Sequence, residues 1–307
     1  DFNFETKDED AKNDISNWKT EISVTNLHSH ISNEFKEKYF ITDVRKEVAF
    51  AHSLIIKKGF KIYINEELII RKQFHIKFGD HLKPSIVNLT YTEEGKKCVH
   101  IKIMAGLDNR NLNDGGWYIF CNNRLIMDAD KSMITGWDTK VTEENKINKY
   151  HADYAYFRGY IMFDSSDAGL LPWTTTKTGL DSDSDVYKAA YFEMRKILKN
   201  ITSFLTKRSK QDTKFNKDEL DSSPLTTLIE TETPRIEFLD LPKEEQSFFY
   251  EAEEPLVIEK EPEPQGGTIV YWKEEKELNF MKKYFNVTTN KEVGQITFDY
   301  YYDLVKD

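Results

Sequence analysis

Apolar positions along this chain recur with two periods, and the switches between them mark the elements. Period two is clearest in the first half. Ile22, Val24 and Leu27 stand among Thr and Ser and predict a strand over 18–27. Phe60, Ile62 and Ile64 alternate with polar residues, and after the turn Asn65-Glu66-Glu67 the run Leu68-Ile69-Ile70 continues as a partner strand. Residues 85–92 and 98–104 predict a hairpin around Glu93-Glu94-Gly95-Lys96. There Val99, Ile101 and Ile103 face one side, and His100 and Lys102 the other. Residues 117–121 and 124–127 form a second hairpin, because Asn122-Asn123 is a strong two-residue turn signal. A further strand covers 154–163, with Gly159 inside it.

The helical period appears in three places. Ile31 and Phe35, four apart, predict a short helix within 28–38. Val44, Val48, Ala51 and Ile55 form the stripe of a helix over 42–58, capped by Thr42 or Asp43 and ended by Gly59. The longest stripe is Tyr187, Ala190, Tyr191, Met194, Ile197, Leu198, Ile201 and Leu205, entered through the capping cluster Ser182-Asp183-Ser184-Asp185. Between the last strand and this helix lies Leu171-Pro172-Trp173-Thr174-Thr175-Thr176-Lys177-Thr178-Gly179-Leu180-Asp181, a loop by its Pro and Gly. Near the C-terminus, 268–272 predicts a short strand, and 277–285 and 293–305 short helical or mixed elements. Phe298, Tyr300, Tyr301 and Leu304 are expected to supply a small core there.

Charge divides the chain unevenly. Residues 212–264 hold 16 acidic and 5 basic residues, so this one segment accounts for the net charge of −10. With its prolines it reads as a linker or loosely packed arm. Its aromatic patches, Ile236-Glu237-Phe238-Leu239 and Phe248-Phe249-Tyr250, suit docking onto a partner. The long helix is basic instead, with Lys188, Arg195, Lys196, Lys199, Lys207, Arg208 and Lys210. That face fits either nucleic acid or an acidic partner, or simply a solvated surface. The chain's two cysteines, Cys98 and Cys121, read as small buried residues, with no disulfide framework and no zinc spacing. His28 and His30 lack a third ligand in sequence reach, so no metal site is expected. Without an apolar run of about 20 residues or a visible signal peptide, the expected location is cytoplasmic, with no membrane partner.

The residues suited to chemistry lie on the loop. A lysine on a loop anchored by a helix can bring a point positive charge to a phosphate; the same lysine can equally be a solvated surface group. Phosphate-loop, dinucleotide and Ser or Cys nucleophile motifs are absent.

The order strand, helix, strand, β-rich block, lysine loop and long helix resembles the GHKL ATPases, among them the DNA gyrase B subunit, MutL and MORC-type proteins. Thr175-Thr176-Lys177-Thr178-Gly179-Leu180 looks like the Gln-Thr-Lys motif, with Thr175 in place of Gln. Trp18-Lys19-Thr20-Glu21-Ile22-Ser23-Val24 looks like the Gly-Thr strand that closes the ATP-binding domain, with Lys19 in place of Gly. The segment from Trp117 to Arg124 looks like a transducer hairpin of bacterial MORC-like ATPases, many of them tied to restriction and phage defence.

The resemblance implies an α+β fold. Residues 1–72 would end a Bergerat-type ATP-binding domain. Residues 73–210 would be a βαβ transducer-like sheet domain with its long helix, 211–266 an acidic arm, and 267–307 a small α/β tail. It implies ATP and Mg2+ as cofactors, bound mainly by sequence outside this chain. Lys177 would be catalytic at the γ-phosphate, with Thr20, Thr175 and Thr176 also at the nucleotide. Arg195, Lys196, Lys199, Lys207 and Arg208 would form a DNA-facing set. The family's catalytic Glu, Mg-binding Asn and glycine-rich lid are not found. The chain therefore reads as the C-terminal part of a longer ATPase, or as the partner of a separate nucleotide-binding subunit. An ATP-dependent homodimer, DNA and a nuclease are the further partners implied. The alternative is a non-catalytic interaction module built on the acidic arm and basic helix.

Overall fold

The computed structural model describes residues 20–93, 97–140, 146–258 and 267–306. The chain is α+β and divides into two compact units, Asp1–Ile258 and Glu259–Asp307. In the first unit, α1 (Ser29–Glu34), α2 (Lys38–Ala51) and α3 (Ser53–Lys57) precede the ribbon of β1 (Tyr63–Ile64) and β2 (Glu67–Leu68). Two short strands follow, β3 (His75–Lys77) and β4 (Leu82–Lys83). The main sheet then forms from β5 (Ser85–Tyr91), β6 (Val99–Leu107), β7 (Gly116–Cys121), β8 (Arg124–Asp130) and β9 (Phe157–Asp164). The long helix α4 (Asp185–Phe215), a short α5 (Pro224–Thr227), β10 (Arg235–Glu237) and β11 (Phe249–Tyr250) complete the unit.

The sheet order is β5-β6-β9-β7-β8, so β9 inserts between two hairpins made earlier in the chain. Every neighbouring pair is antiparallel except β7 and β9, which run parallel. That parallel pair is joined through β8 and residues 131–156, whose described part holds 3-10 turns and no α-helix. The expected βαβ crossover is therefore replaced by an inserted central strand.

Both faces of the sheet are covered, so its inner strands β7 and β9 are apolar on both sides. On one face Val99, Ile101, Ile103, Trp117, Ile119, Phe157, Ile161 and Phe163 pack with the α4 stripe. On the other, Ile86, Met104, Tyr118, Phe120 and Tyr160 pack with Leu54, Phe74, Ile76, Phe238 and Leu241. At the centre, Gly159 leaves room for the Trp117 indole; a Cβ there would lie 2.2 Å from the ring.

The acidic segment is packed, not loose. β10 pairs antiparallel with β3, and β11 with β4. Phe238 is fully buried and stacks on Tyr160 at 4.3 Å, while Phe248 and Tyr250 pack on Phe204 of α4. Both aromatic patches thus dock onto the chain's own core. Charge fixes the same segment: Arg235 donates twice to the buried carboxylate of Asp108, at 2.6 and 2.9 Å, and Arg71 and Lys57 both bond Glu237.

Several N-terminal expectations change. Residues 20–27 form no strand, and Ile22 and Val24 are 81% and 70% exposed; Trp18 and Lys19 lie outside the described residues. The expected helix over 42–58 begins earlier, at Lys38, and breaks at His52. Thr42 donates back to the Lys38 carbonyl, inside the helix, and caps nothing.

In the second unit, α6 (Glu275–Phe285) and α7 (Asn290–Val305) form a helical pair, with a full capping box between Thr289 and Glu292. Residues 268–272 are not a strand. Only Val293 is buried among the described residues of this unit. Phe298, Tyr300, Tyr301 and Leu304, expected as a small core, are 54–69% exposed. No helix among the described residues is long and apolar enough to cross a membrane.

Candidate functional site

The lysine loop hangs between β9 and α4 and is pinned at both ends. On the β9 side, Asp167 caps the 3-10 turn Ala168–Leu170 by accepting from the Gly169 amide at 3.0 Å, and Leu171 and Pro172 are buried. On the helix side, Ser184 caps α4 by accepting from the Tyr187 amide at 3.2 Å. Between them Trp173 and Leu180 form an antiparallel bridge, and the Thr174 amide donates to the Gly179 carbonyl at 2.9 Å. The loop is thus a small closed ring.

Lys177 sits at the tip of that ring. Its amide donates to the Thr174 carbonyl at 2.8 Å, and its backbone is left-handed, with φ of 56°. A lysine gains nothing intrinsic from that conformation. The ring closure holds it there and turns the side chain outward. Its ammonium rests over the Trp173 ring, 4.7 Å from the centroid, and the Trp173 indole N–H donates to the Ala168 carbonyl at 3.0 Å. An exposed cation–π contact of this kind is worth about 0.5–1 kcal/mol, so an anion can draw the ammonium away at small cost. Thr174, Thr176 and Thr178 line up beside it with hydroxyl separations of 3.2 and 2.8 Å. Thr175, Thr176 and Lys177 are all exposed. Chemically, the tip offers one exposed cation and a row of hydroxyls to an anionic group.

Other expected site residues are placed differently. Thr20 lies in the exposed irregular stretch and belongs to no sheet. The basic set on α4 is not one surface. Arg208 is buried, ion-paired with Asp212 at 2.6 Å and stacked over the Tyr156 ring at 4.8 Å. Lys207 pairs with Glu254 of the acidic segment at 3.2 Å and lies over Tyr250. Lys196 pairs along its own helix with Glu193 at 3.6 Å, and Arg195 lies over Tyr191. Lys196 and Lys199 remain exposed. His28 and His30 stack ring on ring, and no group of three or more metal-ligating side chains occurs among the described residues.

The sequence reading passed over two clusters. One is the buried carboxylate of Asp108, met by Arg235 and, at 3.9 Å, by Arg158. The other lies where β9 leaves the sheet and includes Cys98, which is only partly buried, unlike the fully buried Cys121. The two-residue spacing of Cys98 and His100 was visible in the sequence. Their neighbour Asp164 was not, because only the β6–β9 register brings it opposite His100.

No family model matches the chain, and no curated protein matches it.

Proposed function

We propose that this chain is the transducer-containing part of a GHKL-type ATPase, coupling ATP binding and hydrolysis to conformational change on DNA in a restriction or phage-defence setting. The observation that carries the reading is Lys177: an exposed cation at the tip of a hydrogen-bonded ring, between the central strand of a sheet and a capped 31-residue helix. In this reading Lys177 leaves the Trp173 ring to meet the γ-phosphate of Mg2+-bound ATP held by a nucleotide-binding region outside this chain. There it would offset the negative charge that develops on the transferred phosphoryl group. Because the ring is rooted in β9 and α4, occupancy of the phosphate would bias how the sheet and helix stand against that region. Thr175 and Thr176 belong to the same reading as hydroxyls beside the phosphate. Thr20 gains no support from its exposed, irregular setting.

The test is Lys177→Ala in the complete protein. ATP turnover should fall about 100-fold or more, in line with the loss of a charge-stabilising donor, while nucleotide binding persists. Unchanged turnover rejects the reading.

The interaction-module alternative, a basic helix with an acidic arm, is favoured by a different observation: Lys196 and Lys199 are exposed on α4. It predicts that partner capture depends on Lys196 and Lys199 and is indifferent to Lys177.

A further inference from the structure

The cleft at the exit of β9 has a volume of about 590 Å3 and is lined by Lys97, Cys98, His100, Asn122, Asp164 and Ser165, among others. That volume suits a small molecule. Its walls are held by specific bonds. The Asn122 side chain pairs with the Ser165 backbone in both directions, at 2.9 and 3.0 Å. The Ser165 hydroxyl donates to the Cys98 carbonyl at 2.9 Å and accepts from the Asp167 amide at 3.1 Å. The backbone of Cys98 is thereby fixed, and its sulfur reaches the wall of the cleft.

Cys98 lies just before β6, two residues from His100, the second residue of that strand. The Cys98 Sγ lies 3.5 Å from His100 Nε2, within hydrogen-bonding reach for sulfur. Asp164 stands directly across from His100 in the β6–β9 register. Burial pushes its carboxyl up, while Lys58 and His100 pull the other way. Among the described residues, the charged and titratable groups at the cleft are Lys97 and His100 from the thiol's own segment and Asp164 from β9, with Lys58, which bonds Asn123 at 2.8 Å, acting on Asp164. The group is a thiol, an adjacent base and a carboxylate set against that base.

We propose that Cys98 is a hydroperoxide-reactive modification site, with His100 as its proton acceptor. His100 takes the thiol proton, and the sulfur attacks one peroxide oxygen. An S–O bond forms and the O–O bond breaks. The departing hydroxide takes the proton from His100 and leaves as water. Cysteine is oxidised to sulfenic acid, and the peroxide is reduced.

The product would not close an internal disulfide. The only other cysteine, Cys121, is fully buried, with its thiol pushed up by burial. The sulfenic acid is thus left for an external small thiol to cap. This site does not depend on the phosphate reading of Lys177.

The test is hydrogen peroxide oxidation of the reduced full chain, trapped with dimedone and read by peptide mass spectrometry. Folded protein should gain one adduct at Cys98, at a rate at least tenfold above the same chain unfolded in urea. Cys98→Ser should remove the adduct. His100→Gln, a change at an exposed position, should lower the rate at least tenfold and shift the pH at which it rises, with the circular dichroism spectrum unchanged. Equal rates in folded and unfolded chain overturn the proposal without recourse to any variant. An unchanged rate and pH profile in His100→Gln overturn the role of His100.

Discussion

Single residues in this protein are held by very different forces, and their replacements should differ accordingly. Gly159 is held by shape. Its missing Cβ is the space of the Trp117 indole, so Gly159→Ala pushes two central strands apart. The cost should be about 1–3 kcal/mol or more, as for other overpacked cores, read as a lower midpoint of urea unfolding at unchanged slope. Glu237 is held by charge. Burial works against its carboxylate, but the bonds from Arg71 and Lys57 outweigh that and keep it below the ordinary carboxylate range. A carboxylate depressed in the folded state contributes stability above its unfolded pKa and loses it as pH falls through the folded value. Glu237→Gln should therefore cost about 1.5–3 kcal/mol at neutral pH. The gap from wild type should then close as the pH is taken below the ordinary value of 4.5. A gap that stays constant down to acid pH would show that the ion pair is not what Glu237 contributes.

At the scale of the element, α4 connects the candidate loop to the core. Its N-terminus is set by one local bond, from the Tyr187 amide to Ser184. Ser184→Ala should cost about 1 kcal/mol. Hydrogen exchange should speed up first at the amides of the opening turn, while the buried middle of the helix, from Met194 to Leu205, stays protected. The two left-handed turns illustrate the same local logic in strands. Asn122-Asn123 and Asn65-Glu66 both take positive φ at both positions, the geometry that lets a two-residue loop follow strand twist. The Asn122-Asn123 turn joins strands of six and seven residues, β7 inside the sheet and β8 at its edge. The Asn65-Glu66 turn joins strands of two residues that stay largely exposed. Turn chemistry therefore starts a hairpin, while sheet neighbours decide how far it extends.

At the scale of the whole first unit, the acidic segment is a structural part of the sheet domain. Its Arg235 reaches across 127 residues of sequence to the buried Asp108, and its Phe238 fills the face opposite α4. Arg235→Ala leaves Asp108 with the more distant Arg158. Arg235 is 43% exposed, so solvent screens its charge; the unit should lose about 1–3 kcal/mol, the cost of leaving the buried Asp108 carboxylate short of a donor. Limited proteolysis should then cut within 220–258 sooner than in wild type. An unchanged cleavage pattern would mean that the aromatic packing alone secures the segment.

Much of the sheet was legible in the sequence, because β5 and the start of β6 alternate with period two, β7 and β8 flank the strong turn Asn122-Asn123, and β9 is a continuous apolar run. The stripe of α4 and its Ser184 cap were legible for the same reason: helical spacing and capping are local properties. The Lys177 loop was readable as a loop, though the Trp173 contact and the closed ring were not. What the sequence left open depends on partners far along the chain. The strands β10 and β11 are two or three residues long and pair with β3 and β4, so no local periodicity marks them. Composition made their segment look like a free arm because its charge is acidic. Tertiary structure gave that charge its use, placing Glu237 against Arg71 and Lys57 and Glu254 against Lys207. The same holds for the thiol cleft. Sequence placed Cys98 and His100 two residues apart, and only the insertion of β9 between the two hairpins brought Asp164 opposite His100. Local pattern determines which elements form. Strand order and the pairing of distant charges decide which side chains share a site, because those energies arise only when remote segments exclude water together.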